Sequence, residues 1–270
     1  MSRRHFSFDC GGAELVGTVD GTGPVGVLMV SGGNEVRAGA WNGQAILAAR
    51  LAQAGLAAMR FDRRGVGDSG GENRGFRGQA EDIGAALAAF RREVPGMTKV
   101  FALGNCDAAS ALMLGRGCGM DGLVLSNPWT FDEVAGDEGE APAPPAALRA
   151  HYWRRMRDPA AVMRLLRGRV SMSGLLGSLR GMAAPVRASG LAQEIAKGLA
   201  GFGGPVAILL AGRDRTAQAF LAQWPKGDAR MAVCAGASHS FVEDDAREWL
   251  VERILGAVAR VPEGPSTGSS

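Results

Sequence analysis

Short apolar runs recur along this chain, each closed by a glycine or another turn residue and most followed by a helix-length amphipathic stretch. "VGVLMVSGG" (25–33) is apolar, rich in β-branched residues and ends in paired glycines, so it reads as a buried strand. "WNGQAILAARLAQAG" (41–55) then sets Ile46, Leu47, Arg50, Leu51 and Ala54 at helical spacing, with Gly55 as the stop. The strand pattern returns in "LAAMRFD" (56–62), "KVFALG" (99–104), "DGLVLSNP" (121–128), "PVAILLAGRD" (205–214) and "ARMAVCAG" (229–236). The helical pattern returns in "EDIGAALAAFRREV" (81–94), "DAASALMLGR" (107–116) and "DDAREWLVERILGAVARV" (244–261). Continuous apolar strands alternating with helices predict a mostly parallel sheet covered on both faces. The opening "HFSFDCGGAELVGTVD" (5–20) differs: two alternating runs flank Cys10-Gly11-Gly12, which predicts an antiparallel hairpin at the sheet edge.

One segment breaks the rhythm. From about Thr130 to Gly204 no strand pattern appears; an acidic, Pro-rich stretch, "FDEVAGDEGEAPAPPA", precedes an Arg-rich helical one. The expected organisation is a core from 1–128 and 205–260, a helical lid insertion over 129–204, and a disordered tail over 261–270. Arg149, Arg154, Arg155, Arg157, Arg164, Arg167, Arg169 and Arg180 in the insertion either attract an anionic substrate or form a solvated face balancing the acidic stretch.

A net charge of +3 over 270 residues gives no basis for nucleic-acid binding. No run approaches the roughly 20 apolar residues that cross a bilayer. The charged N-terminus lacks the apolar core of a signal peptide, so the expectation is a soluble, cytoplasmic protein. Cys10, Cys106, Cys118 and Cys234 form no C-x-x-C pair and are expected to be reduced thiols. Cys106, Cys234 and His239 do not have the spacing of a common zinc motif, and neither metal nor cofactor is expected.

The chemistry concentrates in Gly104-Asn105-Cys106-Asp107-Ala108, where an apolar strand meets a helix start. This is the order strand, tight turn, helix that a nucleophile elbow requires, with Cys in place of Ser. The helix N-terminus favours a thiolate and a developing oxyanion. Of the three histidines, His239 alone follows a core strand, so it faces the same rim of a parallel sheet as Cys106. Asp214 follows the preceding strand and can orient the imidazole; it is equally placed to N-cap the next helix. Gly33, Asn34 and Asp107 are candidate backbone donors to an oxyanion. Arg37, Asn127 and Trp129 are candidate substrate contacts.

The order nucleophile, acid, histidine, together with "FDRRGVGDSGGE" (61–72), resembles the α/β-hydrolase superfamily, over about Val25 to Leu255. More narrowly, "VSGGNEVRAGAWNGQAILAARLAQAG", "GNCDAAS", "LVLSNPW" and "GRDRTAQAF" resemble the exosortase A system-associated hydrolase 1 family. That resemblance implies an α/β-hydrolase fold with Cys106, Asp214 and His239 in the catalytic roles, in bacteria, encoded near exopolysaccharide and protein-sorting loci. The sequence departs from the wider superfamily in having Cys106 for serine and Ala108 for glycine. A cysteine nucleophile favours esters, lactones and thioesters of a small acyl substrate over unactivated amides. Acyl transfer through the same triad, or a non-catalytic ligand-binding role for the fold, are the alternatives.

Overall fold

The computed structural model describes residues 2–132 and 188–260. Eight strands form one sheet: β1 (Arg3–Cys10), β2 (Ala13–Asp20), β3 (Val25–Val30), β4 (Ala57–Phe61), β5 (Lys99–Asn105), β6 (Gly122–Ser126), β7 (Val206–Ala211) and β8 (Met231–Cys234). Their spatial order is β1-β2-β4-β3-β5-β6-β7-β8. β1 and β2 form the expected antiparallel hairpin at one edge, and every pair from β4 to β8 is parallel.

The central strands are apolar throughout because helices cover both faces. Alternate residues divide between the faces: Leu28, Val30, Val100 and Ala102 join one core, and Val27, Met29, Phe101 and Leu103 the other. On the first face pack α2 (Ala80–Glu93), α3 (Asp107–Leu114), α4 (Gly190–Ala200) and α5 (Arg215–Gln223), through Ile83, Phe90, Leu112, Ile195 and Phe220. On the second pack α1 (Gly43–Gln53) and α6 (Asp244–Ala259), through Ala48, Leu51, Ile254 and Val258. Together these make an α/β-hydrolase fold: three layers with the sheet in the middle.

The boundary expected for the insertion shifts. α4 falls inside the range read as lid, yet its Leu191, Ile195 and Leu199 are buried against the main core. Its N-cap Ser189 donates to the Thr130 carbonyl (2.5 Å) and accepts from the Ala192 N–H (3.0 Å), so the segment is anchored to the end of β6. The Arg-rich stretch expected to form the lid, and the tail, lie outside the described residues. Among the described residues, no helix is long and apolar enough to cross a membrane.

Candidate active site

Every parallel strand points its C-terminal end at one rim, and the site residues sit where the chain leaves those ends. Cys106 follows β5 with φ 60 and ψ −125, a conformation that costs a non-glycine residue on the order of 1–3 kcal/mol. Neighbours hold it there. The Cys106 N–H donates to the Ser126 carbonyl (3.0 Å), and its own carbonyl accepts from Trp129 N–H (3.2 Å) and Ser110 N–H (3.3 Å). The turn is so tight that a Cβ on Gly104 would lie 2.9 Å from the Ala109 nitrogen and 2.8 Å from Leu112 Cδ1. Gly32, approaching from β3, leaves equally little room: a Cβ there would lie 2.7 Å from the Asn105 carbonyl oxygen.

His239 lies in the loop after β8, and its Nδ1 is 3.0 Å from Asp214 Oδ1. Asp214 divides its carboxylate between two tasks. While Oδ1 faces the imidazole, Oδ2 accepts from the Ala217 N–H (2.9 Å) and caps α5. Burial pushes the Asp214 carboxyl up, but the bonds to His239 and to the start of α5 outweigh it and leave it below the usual range. For His239, burial opposes the charge while Asp214 and Cys106 favour it, and together they raise the imidazole to about 10. His239 and Asp214 are thus brought together, and Cys106, on the elbow, also favours the imidazole's charge.

A chain of amides orients this histidine. The Ala211 N–H, at the end of β7, donates to Asn127 Oδ1 (2.8 Å), which fixes the amide of Asn127. The Asn127 NH₂ then donates to Asn105 Oδ1 (3.0 Å) and to the His239 carbonyl (3.0 Å). Asn105 must therefore turn its own NH₂ toward His239 Nε2, 3.3 Å away. When the imidazole is neutral, a donor facing Nε2 favours a lone pair there and the proton on Nδ1, the tautomer that Asp214 stabilises. Asn105 was missed from sequence; the signal was a polar residue ending an otherwise apolar strand.

The remaining expected residues are placed differently from one another. The Gly33 N–H, a candidate oxyanion donor, donates to Asp107 Oδ1 (2.8 Å), so the carboxylate of Asp107 occupies one side of the candidate hole. Burial raises the Asp107 carboxyl, against the pull of the Gly33 N–H and the charge of Arg63. Arg63 is itself only 5% exposed, and its Nε and Nη1 have no hydrogen-bond partner among the described residues. The Asn34 side chain is exposed and accepts from Asn73 Nδ2 (2.9 Å).

The three candidate substrate contacts also bond within the protein. Arg37 donates its backbone N–H to Asp62 Oδ1 (2.6 Å) and its guanidinium to Asp62 Oδ2, with Asp68 at 2.8 Å. Asp62 is fully buried, so Arg37 ties the loop after β3 to the loop after β4. Asn127 is fully buried and belongs to the amide chain. Trp129 is half-buried, stacks edge-on against Phe131 at 4.7 Å and donates to the Phe131 carbonyl (3.1 Å). Among the described residues no group of three or more His, Cys, Asp or Glu side chains is placed to hold a metal ion.

A family model described as the alpha/beta hydrolase family matches residues 27–253. The chain belongs to that family. This alpha/beta hydrolase also resembles solved structures over nearly its whole length. An esterase from Pyrococcus furiosus superposes with a TM-score of 0.63 at 14% identity, covering 96% of this chain and 91% of its own. An alpha/beta hydrolase, GrgF, from a Penicillium species gives 0.60 at 18% identity, covering 96% and 99%. A thioesterase domain from the curacin biosynthetic pathway gives 0.56 at 14% identity, covering 94% and 100%. At these identities the likeness is one of fold. No curated protein matches the chain by sequence.

Proposed function

We propose that this alpha/beta hydrolase cleaves carboxylic esters or thioesters of a small acyl substrate through an acyl-enzyme on Cys106. The observation that carries the reading is the pairing of a Cys106 elbow at φ 60 with a His239–Asp214 contact of 3.0 Å. In its neutral form His239 takes the thiol proton as the sulfur attacks the carbonyl carbon. The oxyanion takes up the Asp107 N–H and, once the Asp107 carboxylate yields it, the Gly33 N–H. Collapse expels the alcohol or thiol, which leaves with the proton from His239. Water, deprotonated by His239, then attacks the thioester; the acid is released and the thiol restored. Asp214 stabilises the imidazolium in both halves.

The esterase and thioesterase among the structural neighbours support this substrate class, and the "GNCDAAS" and "LVLSNPW" motifs support a bacterial setting beside exopolysaccharide loci. Intact-mass spectrometry after mixing with activated esters and acyl thioesters tests the reading. One acyl group should add to the wild-type chain and none to Cys106→Ala, while Cys106→Ser should acylate more slowly. Equal labelling of the wild type and Cys106→Ala, or no labelling of either, would sink it.

A further inference from the structure

A cavity of about 610 Å³ opens between α1 and α6, on the face of the sheet opposite α3. That volume lies within the range of small-molecule sites. Met29 and Leu103, at the ends of β3 and β5, contribute to it together with Leu47 of α1, Phe241 and Leu250. It also reaches the catalytic rim. Asn105 forms part of the wall, with its NH₂ 3.3 Å from His239 Nε2, and Ser240 is the next residue along from the histidine.

The cations around the cavity are already paired, while the carboxylate of Glu35 is held by neutral hydrogen-bond donors. Arg50 makes two bonds of 2.6 Å to Glu248. Glu35 accepts from the Ala40 N–H (2.5 Å) and from Gln44 Nε2 (2.9 Å), and Arg247 is held by Asp244. What the walls offer an incoming molecule is therefore mainly apolar surface, with no unpaired cation among the described residues to meet an anion and one carboxylate, Glu35, that would repel it. Five large hydrophobic residues are exposed among the described residues, and three of them line this cavity: Trp41 (85%), Ile46 (43%) and Val242 (41%). Trp41 is held at φ 57, a region bulky side chains rarely adopt. Exposed apolar residues gathered at one opening mark a ligand site better than the same residues scattered.

We propose that this cavity binds an uncharged alkyl or aryl group of the substrate, seating it while the carbonyl meets Cys106. The proposal rests on the hydrolase reading for the identity of the ligand, but the existence of the site can be tested without turnover. The probe is N-phenyl-1-naphthylamine, a neutral dye that brightens in apolar surroundings, added to the Cys106→Ala chain. Leu47→Trp and Gly43→Phe, made separately in that background, narrow the cavity from successive turns of α1; a side chain at Gly43 meets nothing within 4 Å at its Cβ. Each should weaken dye binding at least tenfold while leaving the circular dichroism unchanged.

Two ester series in the Cys106 background then identify which half of the substrate enters: p-nitrophenyl esters of lengthening acids, and acetates of lengthening alcohols. kcat/KM should climb with length in one series, and the narrowing variants should abolish that climb. Dye binding as tight in both narrowed chains as in Cys106→Ala, or no binding at all, overturns the site. Chain-length dependence that persists in both narrowed chains overturns its role toward substrate. Dye binding lost on narrowing, with no ester turned over by the wild type, upholds the apolar site and overturns the hydrolase reading.

Discussion

Replacing Asn127 with alanine tests whether the amide chain, rather than the loops alone, holds the histidine. Asn127 is fully buried and serves three partners: the Ala211 N–H, Asn105 Oδ1 and the His239 carbonyl. Alanine deprives all three, and each buried group left without a partner costs roughly 1–3 kcal/mol. Ala211 is fully buried and feels the loss in full, whereas water can reach the half-exposed His239 loop. Asn127 also sits at φ 44, where alanine adds about 1–2 kcal/mol of backbone strain. The expected destabilisation is about 3–5 kcal/mol, read as a lower midpoint in urea. Asn127→Gly relieves the strain without restoring the bonds, so it should recover about 1 kcal/mol of that loss and no more. Acylation of Cys106 should slow in both variants, because Asn105 no longer has its oxygen tethered. A loss below about 1 kcal/mol for alanine, or a glycine variant as stable as the wild type, would refute the reasoning.

Two further outcomes follow. The His239 imidazole is raised from the ordinary 6.5 to about 10, so the stability it contributes is complete below pH 6.5 and is lost as pH rises through about 10. Urea unfolding at pH 6 and pH 10.5 should show this decline in the wild type and a much smaller one in Asp214→Asn; equal declines would remove Asp214 as the cause. Asp107→Ala frees the Gly33 N–H and takes a balancing charge from beside Arg63. It should therefore raise kcat/KM, by up to about tenfold if roughly 1.4 kcal/mol of bond strength is released, while lowering the thermal midpoint. A slower enzyme would show instead that the carboxylate holds Gly33 in its working position.

Cys106, Asp214 and His239, the proposed catalytic residues, could be placed on one rim from sequence because each follows an apolar strand, and in a parallel sheet all such positions share one rim. Asp214 could be read either as an orienter or as an N-cap, and the structure uses one oxygen for each. Direction was harder to read. Arg37 and Asn127 lie beside the right motifs, but nothing local says that their side chains turn toward Asp62 and Ala211 rather than outward. α4 went unrecognised as core for a similar reason. An amphipathic helix has the same pattern whether its apolar face meets a lid or a sheet, and only α3 decides which. The cavity between α1 and α6 left no trace in the sequence. Its two walls are joined by Arg50 and Glu248, which lie 198 residues apart.

The dispersal of the site along the chain also gives it an order of birth. Asn105 and His239 stand 134 residues apart, and β8, which delivers the histidine, pairs only with β7 among the described residues. Synthesis from the N-terminus finishes the elbow and the glycine loop long before His239 exists, while the first core still waits for α4, β7 and α5. A nascent chain ending at β7 therefore carries Cys106 without either Asp214 or His239. Among the described strands, the last to be made is the one that leads to His239.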